Sequence, residues 1–253
     1  MKKVTLLFPL ILPLLWACNQ TANSNLRPAT KTSHAVTANV NLGVEYMQRG
    51  DFEKALEKLD RARQIDPGYF GTYNIYGLLF QRLGKMKQAE RNFRKAISLG
   101  NNDPGTLNNY GQFLCETGKA DEAEQTFALA VKNPLYKTPE IALTNAGLCA
   151  LLNGHEEDAE KYLRRALESN PKIPKALLKM AQISYDKKNY LSGRAYLQRY
   201  LELADHTAET LWLGIRIEKQ LGDENAVSSY ALLLKNSFPD SKENEMLQAA
   251  GTR

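Results

Sequence analysis

Small and apolar positions return along this chain with a fixed beat. Gly43, Gly77, Gly111 and Gly147 each follow an apolar or aromatic residue, and they stand 34, 34 and 36 residues apart. Ala181 continues the series 34 residues later, and Gly214 follows after another 33. Twelve positions beyond each of these come Ala55, Ala89, Ala123, Ala159, Gly193 and Ala226. Large side chains then fall at Leu59, Phe93, Phe127, Leu163, Leu197 and Tyr230, and a further small residue at Ala62, Ala96, Ala130 and Ala166. Such a pattern predicts pairs of helices. The small residues let the two helices of a pair approach closely, and the large ones fill the gap to the next pair. Gly50, Gly84, Gly118 and Gly154 fall between the two halves of a unit, where a helix end takes a left-handed residue. Pro67 and Pro171 close their units.

A period of about 34 residues with one helix-turn-helix per unit is the signature of tetratricopeptide repeats. The resemblance runs from residue 36 to about 240 and is regular through the first four units. The fifth departs, with Gly193 in place of the packing alanine and Tyr200 at the later small position. The sixth keeps "LWLGIRIEKQLGDENA" but has one extra residue before its turn glycine, Gly222. The expected fold is all-α, a right-handed superhelical solenoid of six repeats over residues 36–250. Its last two repeats are irregular, and a short helix near 242–250 ends it.

The amino terminus follows another pattern. Residues 1–17, "MKKVTLLFPLILPLLWA", place two lysines before an apolar stretch interrupted by Pro9 and Pro13. The stretch is shorter than the ~20 residues a membrane-spanning helix needs, so it reads as an export signal. Leu15-Trp16-Ala17-Cys18 resembles the bacterial lipobox, with an aliphatic residue at −3, a small one at −1 and cysteine at +1; Trp16 departs from the usual residue at −2. The resemblance implies cleavage before Cys18 and lipidation of its sulfur by a covalent lipid such as palmitate. An ordinary signal peptide cut near Ala17 is the other reading. Asn19, where aspartate would favour inner-membrane retention, implies an outer-membrane address. Residues 18–35 are polar and rich in Asn, Thr and Ala, which is the composition of a flexible tether reaching ~20–25 Å.

Composition narrows function by exclusion. The chain of 253 residues is 43% hydrophobic and 24% charged, and its net charge of +5 includes Lys2 and Lys3 of the leader. No cluster of Lys and Arg marks a nucleic-acid surface. No phosphate-binding glycine loop is present, and His34, His155 and His206 have no second ligand at metal spacing. "HEEDAE" (155–160) lacks a second histidine and fits an acidic first helical turn. The expectation is a non-enzyme with no cofactor, no small-molecule substrate and no nucleic-acid partner.

Two features point to interaction. Cys115 and Cys149 fall on the first helices of adjacent repeats, where they form either a cross-repeat disulfide or two buried thiols. The first helices also carry Asn41, Asn74, Asn108, Asn109 and Asn145, with Gln112 beside them. Amides offer both donor and acceptor, so this set either holds an extended peptide in a groove or caps and solvates helix faces. Val40, Val44 and Leu78 are expected to give apolar contacts along the same groove.

The stretches "NNYGQFLCETGKADEAEQTFALAVKNPLY" (108–136) and "RAYLQRYLELADHTAETLWLGIRIEKQLGD" (194–223) resemble the type IV pilus biogenesis lipoproteins called PilF or PilW. The resemblance covers nearly the whole chain. It implies a periplasm-facing outer-membrane lipoprotein that acts as pilotin for the secretin PilQ, promoting its outer-membrane localisation and multimerisation and pilus stability. It also implies that Cys18 is lipidated and that Cys115 and Cys149 are paired. The competing functions are a repeat lipoprotein of outer-membrane β-barrel assembly and an accessory regulator of a peptidoglycan enzyme.

Overall fold

The computed structural model describes residues 31–251; the leader, Cys18 and the tether up to residue 30 lie outside the described residues. Among the described residues the chain is helical throughout, as a run of hairpins. These are α1 (Lys31–Gln48) with α2 (Phe52–Ile65), α3 (Phe70–Arg82) with α4 (Met86–Leu99), and α5 (Pro104–Glu116) with α6 (Ala120–Lys132). They continue as α7 (Pro139–Leu152) with α8 (Glu156–Ser169), α9 (Pro174–Asp186) with α10 (Tyr190–Leu201), and α11 (Ala208–Leu221) with α12 (Glu224–Ser237). A last helix, α13 (Lys242–Gly251), packs on α11 and α12 at the far end. Helix α1 begins inside the segment expected to be tether, so residues 31–35 are helical and Val36 is already core.

Close packing explains the repeat's small residues. A β-carbon on Gly77 would lie 2.6 Å from ring atoms of Phe93, which is itself fully buried. Any side chain there would push the phenylalanine out of its site, and burying such a ring contributes about 1.5–3 kcal/mol. Gly111 stands in the same relation to Phe127, and Gly147 to Leu163. The cores of successive hairpins join through shared neighbours such as Leu78 and Phe80, so hydrophobic packing runs along the solenoid.

The irregular fifth repeat has a local cause. A β-carbon on Gly193 would stand 3.2 Å from Ile217 Cδ1 of α11, so glycine there makes room for the next repeat. The turn of this repeat carries Lys188 at φ 59°, where the other repeats have glycine at φ 70–78°. Lysine thus holds a left-handed backbone that L-residues adopt only at a cost.

Ionic and polar contacts then tie each hairpin from the second onward to the next. Glu90 of α4 takes Lys119 Nζ at 3.1 Å, Glu160 of α8 takes Lys187 Nζ at 2.7 Å, and Glu124 of α6 lies 3.4 Å from His155 Nδ1. All three glutamates follow the packing alanine of their repeat directly. Hydrogen bonds from Arg94 and Lys119 hold the Glu90 carboxyl below the usual range, and bonds from Lys187 and Arg164 do the same for Glu160. Farther along, Arg194 Nε donates to Glu218 Oε1 at 2.9 Å and its guanidinium also reaches Asp223, fixing α10 to α11 and its following turn.

Candidate partner-binding groove

First helices stand side by side, with α3 against α1 and α5, and α5 against α7. Their shared face carries the asparagines. Asn109 Nδ2 donates to Asn74 Oδ1 at 3.1 Å, and Asn145 Nδ2 donates to Asn108 Oδ1 at 2.9 Å. Asn108 and Asn109 meet at 3.4 Å, which joins the two bonds into one line across α3, α5 and α7. Asn74, Asn109 and Asn145 are half-buried, and Asn108 is buried. Each amide uses only part of its capacity in this line, since an amide has two N–H donors and an oxygen with two lone pairs. The unused groups of half-buried Asn74, Asn109 and Asn145, bridged by buried Asn108, give a row of donors and acceptors at the spacing of the helices, which suits the backbone of an extended peptide.

The other expected groove residues divide. Gln112 is half-buried on α5, Val44 is half-buried on α1, and Asn41 is exposed on α1, before the amide line begins. Leu78 is half-buried and packs against the cores of two successive hairpins. Val40 corrects the expectation: it is only 6% exposed and belongs to the core with Val36, Met47 and Leu59, so it offers nothing to a ligand. Its side chain turns to α2 because the helix places residues 36, 40 and 47 on one face.

Cys115 of α5 and Cys149 of α7 are joined in a disulfide with a Cα–Cα distance of 5.8 Å. The bond ties the same two helices that Asn108 and Asn145 connect. Asn153, capping the end of α7, donates to the Cys149 carbonyl at 2.8 Å and steadies that end.

A second polar cluster lies on α9 and α11. Gln182 Nε2 donates to both carboxylate oxygens of Asp186 at 3.0 Å, which turns its Oε1 toward Arg216 Nη2 at 3.3 Å. The Arg216 guanidinium lies 4.5 Å from the ring centre of Tyr185 and 6.0 Å from that of Trp212. Sequence reasoning missed this group. Its signal was the period itself, because Gln182 and Arg216 are 34 residues apart and both polar on first helices.

Titration elsewhere is structural. Burial pushes the Tyr110 hydroxyl up to about 12, so it stays protonated between α4 and α5. Burial pulls His206 below its ordinary value, which favours the neutral ring beside Tyr230. Among the described residues no group of three or more His, Cys, Asp or Glu could hold a metal ion. Nor is any described helix long and apolar enough to cross a membrane.

Tetratricopeptide-repeat models match residues 36–69, 70–103 and 144–206. The chain is 30% identical over 236 residues to the type IV pilus assembly protein PilF of Pseudomonas aeruginosa, covering 93% of this chain and 94% of that protein. The solved structure of Pseudomonas aeruginosa PilF superposes with a TM-score of 0.80 at 32% identity, over 87% of this chain and all (100%) of that one. PilW, described as a widely conserved type IV pilus biogenesis factor, superposes at 0.74 with 29% identity, over 84% of this chain and 98% of its own.

Proposed function

The chain belongs to the type IV pilus assembly family of PilF and PilW, and from that footing we propose that it is an outer-membrane lipoprotein serving the secretin PilQ as pilotin. Cys18 carries the lipid, and two or more acyl chains give firm attachment where one does not. The polar segment after it lets the solenoid search in the periplasm. The groove face then holds a segment of the secretin and keeps its apolar surface covered until the ring assembles in the outer membrane. The observation that supports this best is the line of amides from Asn74 to Asn145, a row of backbone-compatible donors and acceptors on a scaffold of pilus-assembly ancestry.

Co-purification from detergent-extracted membranes tests the reading. The secretin is expected to come down with the wild-type chain, and Cys18→Ala is expected to leave the fold intact while the secretin scatters among membrane fractions. Normal secretin rings in the outer membrane of that variant would remove the pilotin reading. Recovery of β-barrel assembly components or a peptidoglycan enzyme in place of the secretin would reassign the client.

A further inference from the structure

A cationic charge without a carboxylate sits at the carboxyl-terminal end of the same face. Two half-buried arginines of the last two repeats make the contrast. Arg194 is neutralised by Glu218 and Asp223. Arg216 is held by two aromatic rings and by the Gln182 oxygen, and its Nε is buried with no hydrogen-bond acceptor among the described residues. The one acidic neighbour on α9, Asp186, is bonded through both of its oxygens to the Gln182 amide. A guanidinium so placed keeps its charge, because it cannot deprotonate in a protein.

Next to it opens a cleft of about 310 Å³ between α11, α12 and α13. Trp212, Ile215, Val227 and Leu247 give it apolar walls. Arg216 and Lys219 line it against a single acid, the exposed Glu224, which leaves an excess of positive charge. The volume takes one large apolar side chain. An arginine held over the Tyr185 ring at 4.5 Å presents its remaining N–H groups as a planar fork, which suits a carboxylate.

The geometry points to a subsite on α9, α11, α12 and α13 that reads an acidic side chain, Asp or Glu, next to a bulky apolar residue in an extended partner peptide. The acid meets Arg216, and the apolar neighbour fills the cleft between Trp212 and Leu247. This rests on the reading of the amide-lined face as a peptide groove: the amides hold backbone and carry no side-chain preference, while the Arg216 subsite supplies one. Charge complementarity selects an acidic segment over a basic or neutral one.

A random heptapeptide library displayed on phage, selected against the immobilised full chain, tests this. The wild type is expected to enrich peptides with Asp or Glu beside Leu, Ile, Phe or Trp. Arg216→Gln is expected to lose the acidic preference and weaken a selected acidic peptide by about tenfold or more. The same peptide with Gln for its acid should then bind wild type and variant alike. Arg216→Lys, which keeps the charge, is expected to retain part of the preference. Peptides whose capture falls with Asn108→Ala but shows no acidic bias, and is unchanged by Arg216→Gln, would overturn the subsite and leave the groove standing. A wild-type chain that enriches no peptide at all would overturn both.

Discussion

Asn145 donates to Asn108 at 2.9 Å, and farther along the same two helices Cys149 is bonded to Cys115. One cross-link is polar and lies on the groove face, the other is covalent. Together they fix how α5 and α7 present their amides, and each can be removed separately.

The disulfide closes a 34-residue separation, which in the chain-entropy model stabilises by about 3–4 kcal/mol. Reduction, or Cys115→Ser with Cys149→Ser, should lower stability by that amount while helical content at low denaturant stays unchanged. Urea unfolding with and without reductant measures it. An unchanged midpoint would show that the bond adds nothing.

Asn145→Ala leaves the oxygen of buried Asn108 without its donor and should cost about 1–3 kcal/mol. Replacing both asparagines with alanine should cost less than the sum of the single changes, since neither partner is then stranded. A double-mutant cycle by urea unfolding reads the coupling. Strict additivity would mean that the amides do not support one another.

Lys188 offers a gain. At φ 59° it holds the conformation that glycine holds in the other turns, so Lys188→Gly should raise stability by about 1 kcal/mol. Lys188→Ala keeps the Cβ and should not. Equal effects of the two changes would place the gain outside backbone conformation.

Acid should loosen the stack between hairpins. The folded Glu90 and Glu160 carboxyls are held below their usual value of 4.5. A lowered folded pKa gives stability that is complete above the unfolded value and is lost as pH falls through the folded one. Unfolding free energy should therefore be flat down to about pH 4.5 from these groups and decline below it. Glu90→Gln with Glu160→Gln should flatten that decline. A parallel pH profile for the variant would exclude these pairs as its source.

Much of the fold was legible because packing repeats. Gly77 and Phe93 must meet, and so must Gly111 and Phe127, so the spacing of 34 residues appears in the letters as well as in space. Gly193 looked like an irregularity in the sequence; the structure gives its reason in Ile217, a contact from the next repeat that no local pattern contains. The groove was only partly readable. Asn74, Asn108, Asn109 and Asn145 come together because their positions recur on successive first helices. Val40 was misassigned because one residue's rotation along a helix separates groove from core, and repeat position alone does not fix that rotation. Arg216 left only the 34-residue interval from Gln182 as a trace in the sequence, because the rest of its environment comes from Tyr185 on another helix.

Site-specific photo-crosslinking in cells tests the central claim most directly. A photoreactive residue at Gln112, half-buried on the groove face of α5, is compared with one at Arg91, exposed on α4. The account predicts a secretin adduct from position 112 and none from position 91. A secretin adduct from position 91 alone, or no secretin adduct from position 112, would contradict it.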